Sequence, residues 1–328
     1  MPSEVRGVLV DPLDGVSGGS LTVEDGLITR VERTDELDGP YVFPGFVDLQ
    51  IYAFERALEQ GVTGYLATVG TSARGVVERF LAELPADPAC LGAHVEGPYL
   101  NPDRAGAQAP AHIRPVDPHE LAGWLSTGRV RMLTLAPELE GGFEAIERLV
   151  EAGAVPALGH TDANYYTTRA AIDAGARFAT HLWNAMSGRT ARVPGAIGTL
   201  LADERVTLGL VGDGRHLHPI TERLTIHAAG PSRVALVSDL VAPPQETQEG
   251  KLLGGARYGA GIVERFAEQV GLAETAMMTS LVPAGVLGLE DRGRLAPGYR
   301  ADLAVLDSAF QPVATILRGE TAWAAGAA

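Results

Sequence analysis

Residues 129–186 carry two rounds of one repeating pattern: RVRMLTLAPE (129–138), GFEAIERLVEAG (142–153), AVPALGHTD (154–162), YYTTRAAIDAG (165–175) and RFATHLWNAM (177–186). The first, third and fifth segments are short apolar runs. The second and fourth place apolar residues at helical spacing, as in Phe143, Ile146, Leu149 and Val150. A strand that is apolar on both faces, followed by a helix, is the unit of a parallel sheet covered on both sides. The pattern runs on in both directions. Upstream, the strand-like runs are GFVDLQIY (45–52), GYLATVG (64–70) and CLGAHVEG (90–97), and the helix-like ones are FERALEQG (54–61), RGVVERFLAEL (74–84) and DPHELAGWLS (117–126). Downstream come AIGTLLAD (196–203), RVTLGLVGDG (205–214), TERLTIHAAG (221–230) and RVALVSDLVAPP (233–244).

Eight near-regular units predict a closed (β/α)8 barrel over residues 44–292, in preference to a doubly wound sheet. A longer helical stretch is expected at about 261–288. The two ends of the chain read differently. VRGVLV (5–10) and GSLTVEDGLITRVE (19–32) alternate apolar and polar residues around a Glu24-Asp25-Gly26 turn. RADLAVLD (300–307) and PVATILRGE (312–320) are also strand-like. Both termini, 1–43 and 293–328, are therefore expected to form one small β-sandwich domain beside the barrel.

Composition narrows the function. The chain has 328 residues, 46% hydrophobic and 20% charged, so a sizeable core is available. Its 26 Lys and Arg against 41 Asp and Glu give −15, which argues against a nucleic-acid or anionic-membrane surface. A single cysteine, Cys90, rules out a disulfide framework within the chain. No N-terminal apolar h-region and no 18-residue apolar run occur, so a cytoplasmic protein is expected.

In a (β/α)8 barrel the chemistry collects at the C-terminal ends of the strands. Here those ends carry Asp48-Leu49-Gln50, Glu96-Gly97, His160-Thr161-Asp162, His181, Asp213 with His216 and His218 beyond, and Asp239. Glu96, His160 and His181 are candidate ligands for one divalent metal ion. Two imidazoles and a carboxylate suit zinc or ferrous iron with a position left open for water. Asp239, arriving from the opposite side of the ring, is a candidate base. His94 shares a strand face with Glu96 and is open to a ligand or a supporting role. Asp162 is open to a role beside His160, and Trp183 to one in the pocket wall.

At these residues the sequence resembles the N-acetylglucosamine-6-phosphate deacetylase family of the amidohydrolase superfamily. The resemblance is carried by HVEGPYLNPDRAGAQAPAHI (94–113), GHTDANYYTTRAAIDAGARFATHLWNAMS (159–187), PGAIG (194–198), GDGRHLHP (212–219) and SDLVAPP (238–244). PGFVD (44–48) and GRLAPGYRADLAVLD (293–307) resemble the wider superfamily. The resemblance implies hydrolysis of the acetamide of N-acetylglucosamine 6-phosphate to glucosamine 6-phosphate and acetate. It implies Glu96, His160 and His181 as metal ligands, Asp239 as general acid and base, and His216 as a group that contacts substrate and polarises the acetyl carbonyl. It further implies substrate contacts from Asn184 and Ala185, and phosphate binding by Arg192 across a homodimer. Three departures stand out. Gln50-Ile51-Tyr52 replaces the superfamily's His-x-His after the first barrel strand. Gln108 occupies the place of a substrate-contacting histidine. The Gly-rich loop after the first strand is missing. The residues also fit an amidohydrolase of another N-acyl or cyclic amide substrate, or a non-catalytic scaffold protein.

Overall fold

The structure is a computed structural model; it describes residues 2–188, 190–242, 252, 254–257 and 259–326. The chain opens with four strands, β1 (Ser3–Asp11), β2 (Gly15–Glu24), β3 (Leu27–Thr34) and β4 (Tyr41–Pro44). Eight more follow: β5 (Phe46–Ile51), β6 (Val62–Val69), β7 (Cys90–Glu96), β8 (Val130–Leu135), β9 (Val155–Leu158), β10 (Phe178–Ala179), β11 (Thr207–Val211) and β12 (Val234–Val237). These eight are hydrogen-bonded in parallel and in sequence order. The ring closes where Asp239 N donates to Gln50 O (2.8 Å) and Tyr52 N to Leu240 O (3.0 Å). Asp48 completes the seam by accepting from Ser238 N at 3.2 Å. This is the (β/α)8 architecture that the alternation predicts.

The strand bodies are dry. All eight residues of β6 are buried, and each fully buried Val or Leu contributes about 1.5–3 kcal/mol. Helices α1 (Arg74–Ala82), α2 (Pro118–Ser126), α3 (Gly142–Glu151), α4 (Tyr165–Asp173), α5 (Gly195–Ala202) and α6 (Pro219–Ala229) cover the outside. Their starts are written in the sequence. Asp117 caps α2 by accepting from His119 N and Glu120 N ahead of Pro118, and Asn164 caps α4 by accepting from Thr167 N. His218, beyond β11, caps α6 through Ile220 N.

Three expectations are corrected. The segment 54–61 forms a single 3-10 turn at Ala57–Gln60, not an α-helix. Leu240 O captures the amides of both Tyr52 and Ala53, and Gly61 ends the turn in the left-handed region at φ 79°. Too little chain remains between β5 and β6 for a full helix. The long stretch after β12 is broken at Gly271 (φ 98°) into α7 (Ala260–Val270) and a second run, 272–286. That run comprises α8 (Leu272–Ala276), a π turn at Met277–Leu281 and α9 (Val282–Val286). The sixth barrel strand, β10, is only two residues long.

The chain ends in β13 (Leu303–Leu306), β14 (Pro312–Leu317) and β15 (Glu320–Ala324). They join β1–β4 in one seven-stranded sheet of order β15-β14-β13-β4-β1-β2-β3. The two layers of the expected sandwich are one sheet curled back on itself, since Leu27 bridges to Arg300 and a Cβ on Gly319 would come within 2.7 Å of Val23. A second apolar cluster ties this sheet to the barrel through Val10, Phe43, Phe46, Tyr65, Ala304 and Leu306.

Candidate metal centre and active-site pocket

Glu96 is the last residue of β7, while His160, His181 and Asp239 each lie two residues beyond the end of β9, β10 and β12. These last three have left-handed backbones, with φ of 50°, 32° and 50°. Such conformations cost of order 1–3 kcal/mol each, and clusters of them mark functional positions. Three barrel strands thus make the same sharp turn, and each turn carries a titratable side chain into the barrel mouth.

Glu96 Oε1 lies 3.0 Å from His160 Nε2 and 2.9 Å from His181 Nε2, and the two nitrogens are 3.1 Å apart. All three residues are buried. His160 donates Nδ1–H to Arg104 O at 2.8 Å, so its Nε2 lone pair faces the other two. A neutral His181 can place at most one proton among three converging lone pairs, whereas a cation satisfies all three. The N, N, O donor set fits zinc or iron. Among the described residues, this is the one group of three acids, histidines or cysteines close enough to share an ion. Burial pushes the Glu96 carboxyl up, but its contacts with His160 and His181 outweigh that and hold it well below the usual range. Burial lowers His181, which keeps the ring neutral, as a ligand must be.

A cavity of about 240 Å³ lies over this cluster. Its lining includes Tyr52, Gln108, Asn184, Ala185, His216 and Asp239, together with Gly106. A Cβ at Gly106, where φ is 57°, would sit 3.2 Å from the His160 ring, so the glycine lets this loop lie close over the cluster without displacing it. Asp239 Oδ1 accepts from Gln50 Nε2 at 2.9 Å, and Oδ2 stands 3.9 Å from His216 Nε2. Burial raises the Asp239 carboxyl well above its ordinary value, and the negative charges of Glu96, Asp48 and Asp213 add to the effect. His216 Nδ1 pairs with Asp213 Oδ2 at 3.0 Å, which turns Nε2 toward Asp239. Burial works against the Asp213 carboxylate, but this pair and the amides of Arg215 and His216 bring it down to about 2. Asn184 donates Nδ2–H to His181 O at 3.2 Å, and Ala185 O accepts from Thr161 N at 3.2 Å.

The structure therefore brings Glu96, His160, His181, Asp239, His216, Gln108, Asn184 and Ala185 to one cavity. It does not bring Arg192 there, because that residue is exposed on the segment between Met186 and α5. His94 is no ligand: Nδ1 pairs with Leu49 O (2.9 Å) and Nε2 with Thr134 Oγ1 (2.7 Å). Asp162 pairs with Arg104 rather than with His160, whose Nδ1 is already taken by the Arg104 carbonyl. Trp183 donates its indole N–H to Thr225 at 2.8 Å and packs into two core clusters. Pro243 and Pro244 of the SDLVAPP segment lie outside the described residues. Sequence reasoning missed Gln50 and Asp213 as partners of Asp239 and His216, and Tyr52 as a pocket residue. The one available signal was that Gln50 and Tyr52 stand i, i+2 at the end of a barrel strand, on one face.

The family model described as the amidohydrolase family matches residues 51–322. The N-acetylglucosamine-6-phosphate deacetylase of Bacillus subtilis (strain 168) is 30% identical, over 94% of this chain and 93% of its own. The N-acetylgalactosamine-6-phosphate deacetylase of Shewanella sp. (strain ANA-3) is 33% identical, over 79% of this chain and 73% of its own. Among solved structures, the N-acetylglucosamine-6-phosphate deacetylase of Thermotoga maritima superposes with a TM-score of 0.90 at 30% identity. It covers 98% of this chain and 100% of that one. The chain belongs to the amidohydrolase family and, within it, to the N-acetylglucosamine-6-phosphate deacetylase family.

Proposed function

We propose that this chain hydrolyses the acetamide of N-acetylglucosamine 6-phosphate to acetate and glucosamine 6-phosphate. The observation that carries the reading is the convergence of Glu96, His160 and His181 on one point of a cavity that Asp239 also lines, in a chain with such relatives. One divalent ion, zinc or iron, would be held by Glu96, His160 and His181. Bound there, it supplies a lowered water pKa and a Lewis acid for the acyl oxygen. Asp239 is the general base and then the general acid. It takes a proton from the attacking water and returns it to the amine as the C–N bond breaks. Gln50 fixes the carboxylate for both steps. His216, oriented by Asp213, faces the acyl group and helps to polarise it. Asn184, the Ala185 backbone and Gln108 contact the sugar phosphate from the pocket wall.

In this reading the protein is a homodimer, and Arg192 reaches the phosphate in the neighbouring copy's pocket. Its exposure in its own chain leaves it available for that role. The barrel unit, 44–292, carries the chemistry, and 1–43 with 293–328 forms a supporting β unit. Among the described residues no helix is long and apolar enough to cross a membrane, and a cytoplasmic location belongs to the same proposal.

The test is acetate release by zinc- or iron-reconstituted protein from N-acetylglucosamine 6-phosphate, its unphosphorylated parent and N-acetylgalactosamine 6-phosphate, with a chelated control. Turnover that needs both metal and phosphate and favours the glucosamine substrate is the expected result. A second reading, another N-acylated amino-sugar phosphate, is favoured by Gln108, whose Oε1 is occupied by Thr71 N at 2.7 Å. Faster turnover of the galactosamine substrate would select it. Metal binding without turnover of any of the three would send the search to other acylated amines.

A further inference from the structure

Two of the departures from the family pattern, Tyr52 and Gln108, touch each other and reach the metal cluster. Tyr52 follows β5, and its phenol donates a hydrogen bond to Glu96 Oε2. Gln108, in the loop after β7, lies with Nε2 3.5 Å from the Tyr52 oxygen. Its Oε1 accepts from Thr71 N at 2.7 Å. Donors and acceptors run in one direction, from the Thr71 amide through Gln108 and Tyr52 to the Glu96 carboxylate. The backbone is shaped for this chain of contacts. A Cβ on Gly70, at the end of β6, would lie 3.0 Å from Gln108 Oε1 and 3.5 Å from the Tyr52 ring. The glycine lets both side chains pack over the strand end.

The consequence falls on Glu96. One carboxylate oxygen, Oε1, faces His160 and His181, and the other is occupied by Tyr52. A carboxylate held in this way presents Oε1 to the ion and keeps Oε2 turned to the phenol, which competes for that oxygen's lone pairs and opposes chelation or bridging. We infer that Tyr52 is a positioning residue that fixes Glu96 as a one-oxygen ligand, and that Gln108 helps to hold Tyr52. The inference rests on the proposed ion site at Glu96, His160 and His181. It gives the Gln-Ile-Tyr sequence after the first barrel strand a role of its own, and it adds a supporting role to the place Gln108 has in the pocket wall.

The test compares wild type with Tyr52→Phe, Gln108→Ala and the double variant. Tyr52→Phe keeps the ring and removes only the hydroxyl. Zinc affinity is read by competition with a chromophoric chelator, and coordination by the visible absorption of the cobalt-substituted protein. Partners of this kind typically contribute 10–100-fold in metal affinity. The expected result is a loss of that size in Tyr52→Phe with a changed cobalt spectrum, as Glu96 becomes free to ligate through both oxygens. Gln108→Ala should lose less, and the double variant no more than Tyr52→Phe alone, because Gln108 acts through Tyr52. Unchanged zinc affinity and cobalt spectrum in Tyr52→Phe, or fully additive losses, would overturn the inference. His160→Ala is the control for the underlying reading. If it binds zinc as well as wild type, the proposed ion site itself is wrong. If it does not bind while Tyr52→Phe does so normally, only the role of Tyr52 falls.

Discussion

At Asp239 opposing influences meet on one buried carboxyl. Burial raises its carboxyl, the charges of Glu96, Asp48 and Asp213 add to that, and the Gln50 hydrogen bond opposes it. As the proposed general base, Asp239 works only when ionised, so activity should be lost as pH falls through its value. A bound cation draws that value down, and Gln50 draws it down further. Gln50→Leu removes one hydrogen bond to a charged group, about 1.5–3 kcal/mol. It should therefore move the acidic limb of kcat/KM upward by about one to two pH units. A limb that stays in place would show that Gln50 does not stabilise the carboxylate. Asp239→Asn should lower turnover by about 10²–10⁴-fold while metal content, measured by elemental analysis, is retained. Asp239 itself was legible in the sequence because it stands at a strand end. Gln50 was not, because its partner lies 189 residues away and the two meet only when the barrel closes. Tyr52 was unreadable for the same reason: the position looked like a lost ligand until Glu96 and Gln108 were beside it.

Among the elements, β7 joins its neighbours through a buried side chain as well as through its backbone. His94 lies on it two residues before Glu96, fully buried, with Leu49 O of β5 on one nitrogen and Thr134 of β8 on the other. Thr134 in turn meets Thr180, just beyond β10, at 2.7 Å. One ring thus links three strands and the turn after a fourth beside the Glu96, His160 and His181 cluster. Burial pushes the His94 imidazole down to about 4, against about 6.5 in the unfolded chain. Between these values the unfolded chain binds a proton that the folded one refuses, so stability falls as pH drops from about 6.5 to 4. The contribution of this group is about 3 kcal/mol. Chemical denaturation of the chelated protein at pH 7 and pH 4.5 should therefore show a smaller acid loss in His94→Gln than in wild type. Equal losses would mean that His94 titrates normally. At this scale the sequence was a good guide wherever period and cap agreed, as in α2 behind Asp117-Pro118. It failed at 54–61, where the helical spacing is present but barrel closure takes the preceding amides.

At the scale of the whole molecule, the −15 charge meets the chemistry of an anionic substrate. The cavity carries Glu96 and Asp239, and its lining contains no arginine or lysine among the described residues. A phosphate group would need a cation brought from elsewhere, because a bare anion beside these carboxylates is repelled. Arg192 suits that role, since it is exposed and lies between Met186, close to the His181 turn, and α5. The proposed dimer makes a prediction that a monomer cannot meet. Arg192→Ala should raise KM for the phosphorylated sugar and leave the unphosphorylated sugar nearly unaffected, because only the phosphate loses its partner. Asp239→Asn should be inactive for a different reason, within its own pocket. When the two variants are unfolded together and refolded as mixed dimers, one pocket of each heterodimer pairs an intact Asp239 with the partner's intact Arg192. Activity at low substrate should then rise above that of either variant alone, toward half the wild-type value per heterodimer. If mixing restores nothing while the subunits demonstrably exchange, each Arg192 serves its own pocket or none, and the phosphate must be held by another group.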